Sequence, residues 1–166
     1  MEIDIRMTQK DLFVYSLYNS NSGSKGIFNF FWTLGWLAAL LSTWKEGQPQ
    51  WQECAVMVFG VLLFTVIQPL VLWNKSRKQA QKAGFSDTLH LTLTKEKILV
   101  ERNGEKADFE WKRIRKVVRV RHLFVLDMGF GRAYLISKDA VRGREKEWIE
   151  FCKDVLPRTK TKGLKA

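Results

Sequence analysis

Two stretches without an Asp, Glu, Lys or Arg decide the architecture: IFNFFWTLGWLAALLSTW at residues 27–44 and CAVMVFGVLLFTVIQPLVLW at residues 54–73. At ~1.5 Å of rise per residue these helices would be about 27 and 30 Å long, close to the ~30 Å hydrocarbon core of a bilayer. Buried helices of a soluble bundle usually show a polar stripe, and the few polar residues in these stretches do not line up on one face. The sequence therefore predicts a two-helix transmembrane hairpin over residues 27–73.

The charge lies outside these stretches, and its distribution predicts the orientation of the hairpin. Residues 74–166 hold 24 of the 28 Lys and Arg and 12 of the 17 Asp and Glu, in a chain of formal net charge +11. Lys10 and Lys25 precede the first stretch, whereas the connecting residues 45–53 carry only Lys45 against two glutamates. Because cytoplasmic flanks are rich in Lys and Arg, both termini are expected in the cytoplasm. The composition excludes a uniformly soluble globule, a long disordered chain, a collagen and a disulfide scaffold.

Residues 74–86 form a basic segment that directly follows the second stretch. The pattern predicts a helix that continues from the span and ends at Gly84. Such a segment beside a cytoplasmic leaflet is typical of lipid-headgroup contact. The residues expected to make it are Lys75, Arg77, Lys78 and Lys82.

Residues within the hydrophobic stretches carry more local predictions. Gly35 and Ala39 form a small-xxx-small pair that would let the second helix approach closely. Pro69 lacks an amide hydrogen and predicts a bend near the cytoplasmic end, with Gln68 satisfying a freed carbonyl.

The rest of the chain alternates with the period of β-strands. Residues 2–7 read as a half-buried strand, and the T-x-x-D at Thr8 predicts a capped helix start. From residue 87 onward alternating apolar residues predict six short strands, with Asn103-Gly104 as a hairpin turn. Residues 144–156 then show a helical stripe that ends before Pro157. The predicted fold is an α+β membrane protein, in which a small antiparallel β-sandwich or open barrel is closed by a C-terminal helix.

These patterns divide the chain into five consecutive segments. They are a strand and short helix joining the later sheet (1–26), the hairpin (27–73), the basic linker (74–86), the β domain (87–157) and a disordered basic tail (158–166).

At this point the chain resembles the YcxB-like family of small bacterial membrane proteins. The resemblance rests on T-x-x-D-L at 8–12, the hairpin and its basic exit, L-T-L-T at 91–94, and W-x-x-I at 111–114. Family members usually show I-P-K where this chain has Ile136-Ser137-Lys138. The resemblance implies two transmembrane helices, a pleckstrin-homology-like cytosolic domain and residence in the bacterial inner membrane, and it implies no established activity.

The sequence offers no catalytic constellation, metal-ligand spacing or cofactor motif. Cys54 and Cys152 are expected on opposite sides of the bilayer, so they cannot pair, and Cys152 is expected to stay reduced. His90 and His122 are interpreted as surface histidines. Gly129-Phe130-Gly131 precedes a strand and is interpreted as a hairpin turn, because a phosphate loop leads into a helix. The chain is therefore expected not to be an enzyme.

The strongest functional signal is the basic run KRIRKVVRVR at residues 112–121. Alternation predicts Ile114, Val118 and Val120 on the inner face and the arginines on the solvent face, where their planar forks suit phosphates and carboxylates. The candidate anionic-partner residues are Lys112, Arg113, Arg115, Arg119 and Arg121. A merely solvated face near an anionic leaflet is the alternative, and the lack of interleaved aromatic residues argues against nucleic acid.

These inferences lead to one function and one alternative. The chain is expected to be a non-enzymatic inner-membrane protein whose cytosolic β domain binds an acidic protein, an anionic lipid headgroup or the membrane surface. The alternative is an immunity protein, in which the hairpin neutralises a toxin that acts at the inner membrane.

Overall fold

In the computed structural model the chain divides into two compact units. One, the β unit, comprises Met1–Tyr15 and Gln79–Ala166, and the other, the helical unit, is Ser16–Lys78. The structure describes residues 1–45, 51–82, 85, 87–129, 132–161 and 163–164, with only the backbone of residues 43–45. The predicted loop residues 46–50, the predicted helix end at Gly84, and Phe130-Gly131 of the predicted turn lie outside this set.

The β unit contains two antiparallel sheets and a C-terminal helix, so the predicted α+β class is confirmed. Strands β1 (Glu2–Ile5), β2 (Leu89–Leu93), β3 (Lys97–Arg102) and β4 (Glu105–Glu110) form one sheet in that order. Strands β5 (Lys116–Val120), β6 (Leu123–Gly129) and β7 (Arg132–Ser137) form the other. 3₁₀ turns occupy Trp111–Arg113 and Lys138–Val141, and two helices, α1 (Gln9–Ser20) and α5 (Glu145–Val155), complete the elements that contribute to this unit.

The first sheet joins the two segments of sequence that make up the β unit. β1 pairs with β2 in a register that places Ile3 opposite Leu91 and Ile5 opposite Leu89. Asn103 and Gly104 both have positive φ, 51° and 83°, as the tight turn between β3 and β4 requires. Apolar side chains of both sheets and of α5 then form the main core, in which Ile98, Phe124 and Trp148 are fully buried.

A second, smaller core lies on the other face of the three-stranded sheet, under α1. Val14 of α1 packs there with Leu123, Val125 and Leu135. β6 is therefore buried on both faces, since Phe124 and Leu126 face the main core. The predicted helix start is present: Thr8 and Asp11 bond each other reciprocally, with the Asp11 amide 3.2 Å from Thr8 Oγ1 and the Thr8 amide 2.9 Å from Asp11 Oδ2.

The helical unit contains the last five residues of α1 and three further helices. α2 spans Ser24–Lys45, α3 spans Trp51–Leu62, a π-helical turn spans Leu63–Ile67, and α4 spans Gln68–Ala80, whose last two residues belong to the β unit. The predicted approach through Gly35 is wrong, because nothing lies within 4 Å of a Cβ built there. Gly60 is the close contact instead: a Cβ on Gly60 would lie 2.5 Å from Trp36 Cδ2.

The π-helical turn accommodates the proline predicted to bend the second stretch. Pro69 has no amide hydrogen to donate to the Thr65 carbonyl, and the Gln68 amide donates back to Leu63 in a wider turn. The Gln68 side chain, predicted to satisfy a freed carbonyl, donates from its amide nitrogen to the Ser20 hydroxyl.

Within the described residues, one helical run is long and apolar enough to cross a membrane. It is Trp51–Ala80, 30 residues, and 6% of its most apolar window is buried. α2 begins with Ser24 and Lys25, and the side chains of its last three residues lie outside the described set. The two-span hairpin stays a prediction.

Candidate anionic-partner surface

Two of the predicted basic residues are held outward by a 3₁₀ turn at the start of the basic run. Trp111 is buried, and its Nε1 donates to the Thr94 carbonyl at 2.8 Å. Ile114, at the other end of the turn, is fully buried, and its amide donates to the Trp111 carbonyl at 3.0 Å. Because both ends are anchored in the core, Lys112 and Arg113 between them are exposed.

Arg115 extends this exposed group by one residue. Its backbone amide donates to the Asp127 carbonyl at 2.7 Å, which fixes the chain as it enters β5, while the side chain is exposed. The structure thus brings Lys112, Arg113 and Arg115 together at one end of β5.

The predicted alternation of β5 fails, because both faces of its sheet are covered. Val117 is fully buried in the main core, and Val118 and Val120 pack against the second core under α1. Arg119 shares the face of Val117 and is half-buried, with its Nη2 3.9 Å from Glu145 Oε2. The prediction that Arg119 belongs to a row of solvent-facing arginines is wrong.

Arg121 lies apart from the other predicted residues. It occupies the turn between β5 and β6 with a positive φ of 53°. At ~3.3 Å per strand residue, it is about 20 Å along the chain from Arg115. The five candidate residues therefore do not form one surface.

The predicted disordered tail is also wrong for the residues that the structure describes. The Lys160 carbonyl accepts the Val117 amide at 2.8 Å, and the Gly163 carbonyl accepts the Arg119 amide at 3.3 Å. Val118 and Gly163 form a parallel β-bridge. Thr161 and Leu164 are 5% and 3% exposed, so the segment is packed as well as hydrogen-bonded.

This tail adds two cations that were not predicted to be part of the site. Arg158 is exposed, and Lys160 Nζ lies 3.3 Å from the Lys112 carbonyl oxygen. The sequence contains one indication that the tail is ordered. Leu164 is the one large apolar side chain after Leu156, and a solvated tail would not need it. We call the group Lys112, Arg113, Arg115, Arg158 and Lys160 the β5 basic surface.

Carboxylates of Glu96, Asp108 and Glu110 share a pocket with Lys112 and Arg113, but ion pairs to this surface are few. Lys112 lies 3.8 Å from Glu110, in a pair with exposures of 92% and 69% that solvent screens strongly. Among the described residues, no carboxylate is within ion-pair distance of Arg113, Arg115, Arg158 or Lys160. The surface therefore carries a positive potential suited to carboxylates or phosphates.

The four residues predicted to contact lipid headgroups lie on α4 and in the turn after it, and their contact with lipid stays a prediction. Lys75, Arg77 and Lys78 are exposed on α4. The helix ends at Ala80, short of the prediction, so Lys82 lies in the turn that follows and does not share the helical face.

The histidines and the buried cysteine sit in structural contacts. His90 Nδ1 is 2.6 Å from Asp4 Oδ1 on the exposed face of the first sheet. His122 Nε2 is 2.9 Å from Oδ1 of the buried Asp11, and the His122 side chain is 38% exposed. Burial raises the pKa of the Cys152 thiol to about 12, which keeps it protonated. No group of three metal-ligating side chains occurs in the described part of the chain.

Residues 93–152 match a family model described as YcxB-like protein. The predicted resemblance to the YcxB-like family is confirmed over this stretch, which includes the W-x-x-I motif at Trp111–Ile114. No curated protein and no solved structure matches the chain.

Proposed function

We propose that this chain is a non-enzymatic protein of the bacterial inner membrane whose cytosolic β unit binds an anionic partner through the β5 basic surface. The hairpin would anchor it with both termini in the cytoplasm, and Lys75, Arg77, Lys78 and Lys82 would contact lipid headgroups. The observation that carries the proposal is the cluster of four cations without a carboxylate partner among the described residues.

The distribution of exposed apolar side chains supports membrane anchoring. Among the described residues, the exposed large apolar side chains lie between Ile27 and Trp73, for example Phe30 at 63%, Trp51 at 76% and Leu70 at 58%. An exposed apolar surface of this extent would be unfavourable in water and is favourable in lipid. Exposed apolar side chains occur on both α2 and α3, and this distribution supports two membrane spans.

The strand order supports a pleckstrin-homology-like arrangement of the β unit. A four-stranded and a three-stranded antiparallel sheet enclose one core that the C-terminal helix closes. Fold likeness alone assigns no ligand, so the ligand class rests on the basic surface.

The test is a charge reversal of the three exposed residues at the end of β5. The chain carrying Lys112→Glu, Arg113→Glu and Arg115→Glu is expected to bind at least tenfold more weakly to anionic probes than the parent. Two probes are used: vesicles with a high content of phosphatidylglycerol, and an acidic peptide. Parent binding should also weaken as ionic strength rises.

A matched control separates a local site from net charge. Arg142, Lys146 and Lys153 are exposed in the same unit and lie outside the β5 basic surface. Their reversal to Glu lowers the net charge by the same amount and should leave binding within about twofold. Equal losses of binding in the two triple variants would mean that net charge alone sets the affinity. Unchanged binding in the first triple variant would contradict the proposal.

A further inference from the structure

We propose that the edge of β5 is a docking site for an acidic peptide segment, which takes the place of the tail beside Val117–Arg119. The described tail residues 158–161 and 163–164 are then the resident and weaker occupant. This inference rests on the proposed function and deepens it, since it names the class of partner and the mode of binding.

The backbone contacts show how a segment is held at this edge. An edge strand presents unpaired N–H and C=O groups, and an added strand satisfies them. The Val117 and Arg119 amides donate to the Lys160 and Gly163 carbonyls at 2.8 and 3.3 Å. The segment is turned at these positions, since the Thr161 amide donates to the Arg158 carbonyl and the Leu164 amide donates to the Thr161 carbonyl, at 3.3 and 2.9 Å. The two bonds to β5 require no particular side chain, so another segment with the same backbone course can form them.

The site restricts which side chains fit at two positions of the segment. A Cβ at Gly163 would lie 2.7 Å from Val118 Cγ1 and 3.2 Å from Val118 Cα, so the close approach to β5 needs glycine. Leu164, the next residue, is 3% exposed and belongs to the main core. The site therefore selects a glycine followed by a large aliphatic residue.

The charge of the resident segment does not match its surroundings. Its cation Lys160 lies beside Lys112 at the end of β5 that also presents Arg113 and Arg115, and Arg158 is exposed two residues earlier. Lys160 makes its hydrogen bond to the Lys112 carbonyl, with no carboxylate in reach among the described residues. Like charges placed together weaken an association, whereas carboxylates would engage the arginine forks.

An acidic segment would keep the favourable contacts and reverse the unfavourable ones. With glycine and leucine at the same positions it retains the backbone bonds and the core contact. The resident segment has the advantage of being covalently linked, which raises its effective concentration at the site. Charge complementarity is what allows a partner in trans to displace it.

The test uses the full chain in detergent micelles and three labelled peptides in the register of residues 157–166. They are the natural PRTKTKGLKA, the acidic PETETEGLEA, and PETETEVLEA, which has valine at the glycine position. The chain is used unchanged and as Gly163→Val, which should expel the resident segment by the clash with Val118. Affinities are measured by fluorescence anisotropy.

The acidic glycine peptide should bind Gly163→Val at least tenfold more tightly than the unchanged chain. On Gly163→Val, the acidic valine peptide and the natural basic peptide should each bind at least tenfold more weakly than the acidic glycine peptide. Hydrogen exchange of the Val117 amide should be fast in Gly163→Val and slow again when the acidic glycine peptide is added. Leu164→Asp should also expel the segment, because it places a carboxylate at a buried position. It should therefore give the same peptide affinities and the same hydrogen exchange as Gly163→Val.

The other outcomes overturn the inference in distinguishable ways. Equal binding of the two acidic peptides would exclude docking at the edge of β5 and leave the proposed function intact. Binding of phosphatidylglycerol vesicles without binding of either acidic peptide would make the partner the membrane surface. No binding of any anionic probe would overturn both proposals. On the unchanged chain the acidic glycine peptide should also bind more tightly than the acidic valine peptide, and equal binding there would overturn the inference even if neither variant folds.

Discussion

At the scale of single residues, Asp11 carries the most contacts of any buried carboxylate in the described chain. It is 5% exposed, and it accepts the Thr8 amide, the Thr8 hydroxyl at 2.7 Å and His122 Nε2 at 2.9 Å. Asp11→Ala removes the carboxylate half of the reciprocal cap and leaves these donors unpaired, while the bond from the backbone amide of residue 11 to Thr8 Oγ1 can still form. We expect a loss of about 2 kcal/mol in the free energy of unfolding, measured by urea titration followed by tryptophan fluorescence.

Asp4→Ala is the matched control for this prediction. Asp4 also pairs with a histidine, His90, but the two side chains are 68% and 57% exposed. Exposed pairs contribute little, so we expect a change below about 0.5 kcal/mol. Similar losses in the two variants would mean that burial of Asp11 does not set its contribution.

Cys152 gives a residue-scale prediction about reactivity and pH. Burial raises the pKa of its thiol from an ordinary value of 9.0 to about 12, and the thiolate is the reactive form. In a Cys54→Ser chain at pH 8, iodoacetamide should modify Cys152 about 1,000-fold more slowly in the folded than in the urea-unfolded state. Mass spectrometry of the modified fraction over time measures both rates.

The same shift fixes the sign of a pH effect on stability. Above pH 9 the unfolded chain loses the thiol proton while the folded chain keeps it. The contribution of the neutral thiol to stability is therefore complete below pH 9 and is lost between pH 9 and about 12. A Cys152→Ala chain should lack this component of the alkaline destabilisation, and an unchanged alkaline profile would contradict the assignment.

At the scale of elements, α1 determines what the three-stranded sheet can expose. Val14 is 6% exposed and forms the second core with β6 and β7. Val14→Ala should lower the free energy of unfolding by about 2 kcal/mol, because it removes two buried methyl groups and leaves a cavity. Lys10→Ala, at an exposed position of the same helix, should change it by less than about 0.5 kcal/mol in the same urea titration. Equal effects would show that α1 does not cover the sheet.

This element also explains where prediction from the sequence reaches its limit. The strands, the Asn103-Gly104 turn and the stripe of α5 follow from local patterns, which predict them within a few residues. The side-chain direction of Arg119 depends on whether one face of the sheet is covered or both. That depends on α1, which is about 100 residues away in the sequence, so alternation within β5 alone could not predict it.

The prediction for the tail is wrong for a related reason. A short segment with many cations and one leucine has the composition of a disordered terminus. Its order comes from the open edge of β5 and from the space that Gly163 leaves beside Val118, which no local pattern encodes. As a result the sequence predicts Lys112, Arg113 and Arg115 as part of the site and misses Arg158 and Lys160.

At the scale of the whole molecule, the proposed topology makes a prediction about accessibility. In a Cys54→Ser chain, Gln48→Cys should react with a membrane-impermeant maleimide in intact cells, because residues 45–53 are expected outside. Lys82→Cys should react only after the membrane is opened, since the basic exit is expected inside. Cys152 stays silent in both chains because it is buried.

The pair of labelled positions tests anchoring and orientation separately. Recovery of the chain in the soluble fraction without detergent would contradict membrane anchoring itself. Labelling of Lys82→Cys from outside, with Gln48→Cys protected, would reverse the orientation and place the β5 basic surface away from cytoplasmic partners. Protection of both positions in intact cells would indicate that the hairpin enters the membrane without crossing it. If Gln48→Cys is labelled in intact cells and Lys82→Cys is not, the β unit lies in the cytoplasm. This is the one outcome in which a cytosolic acidic segment can reach the edge of β5.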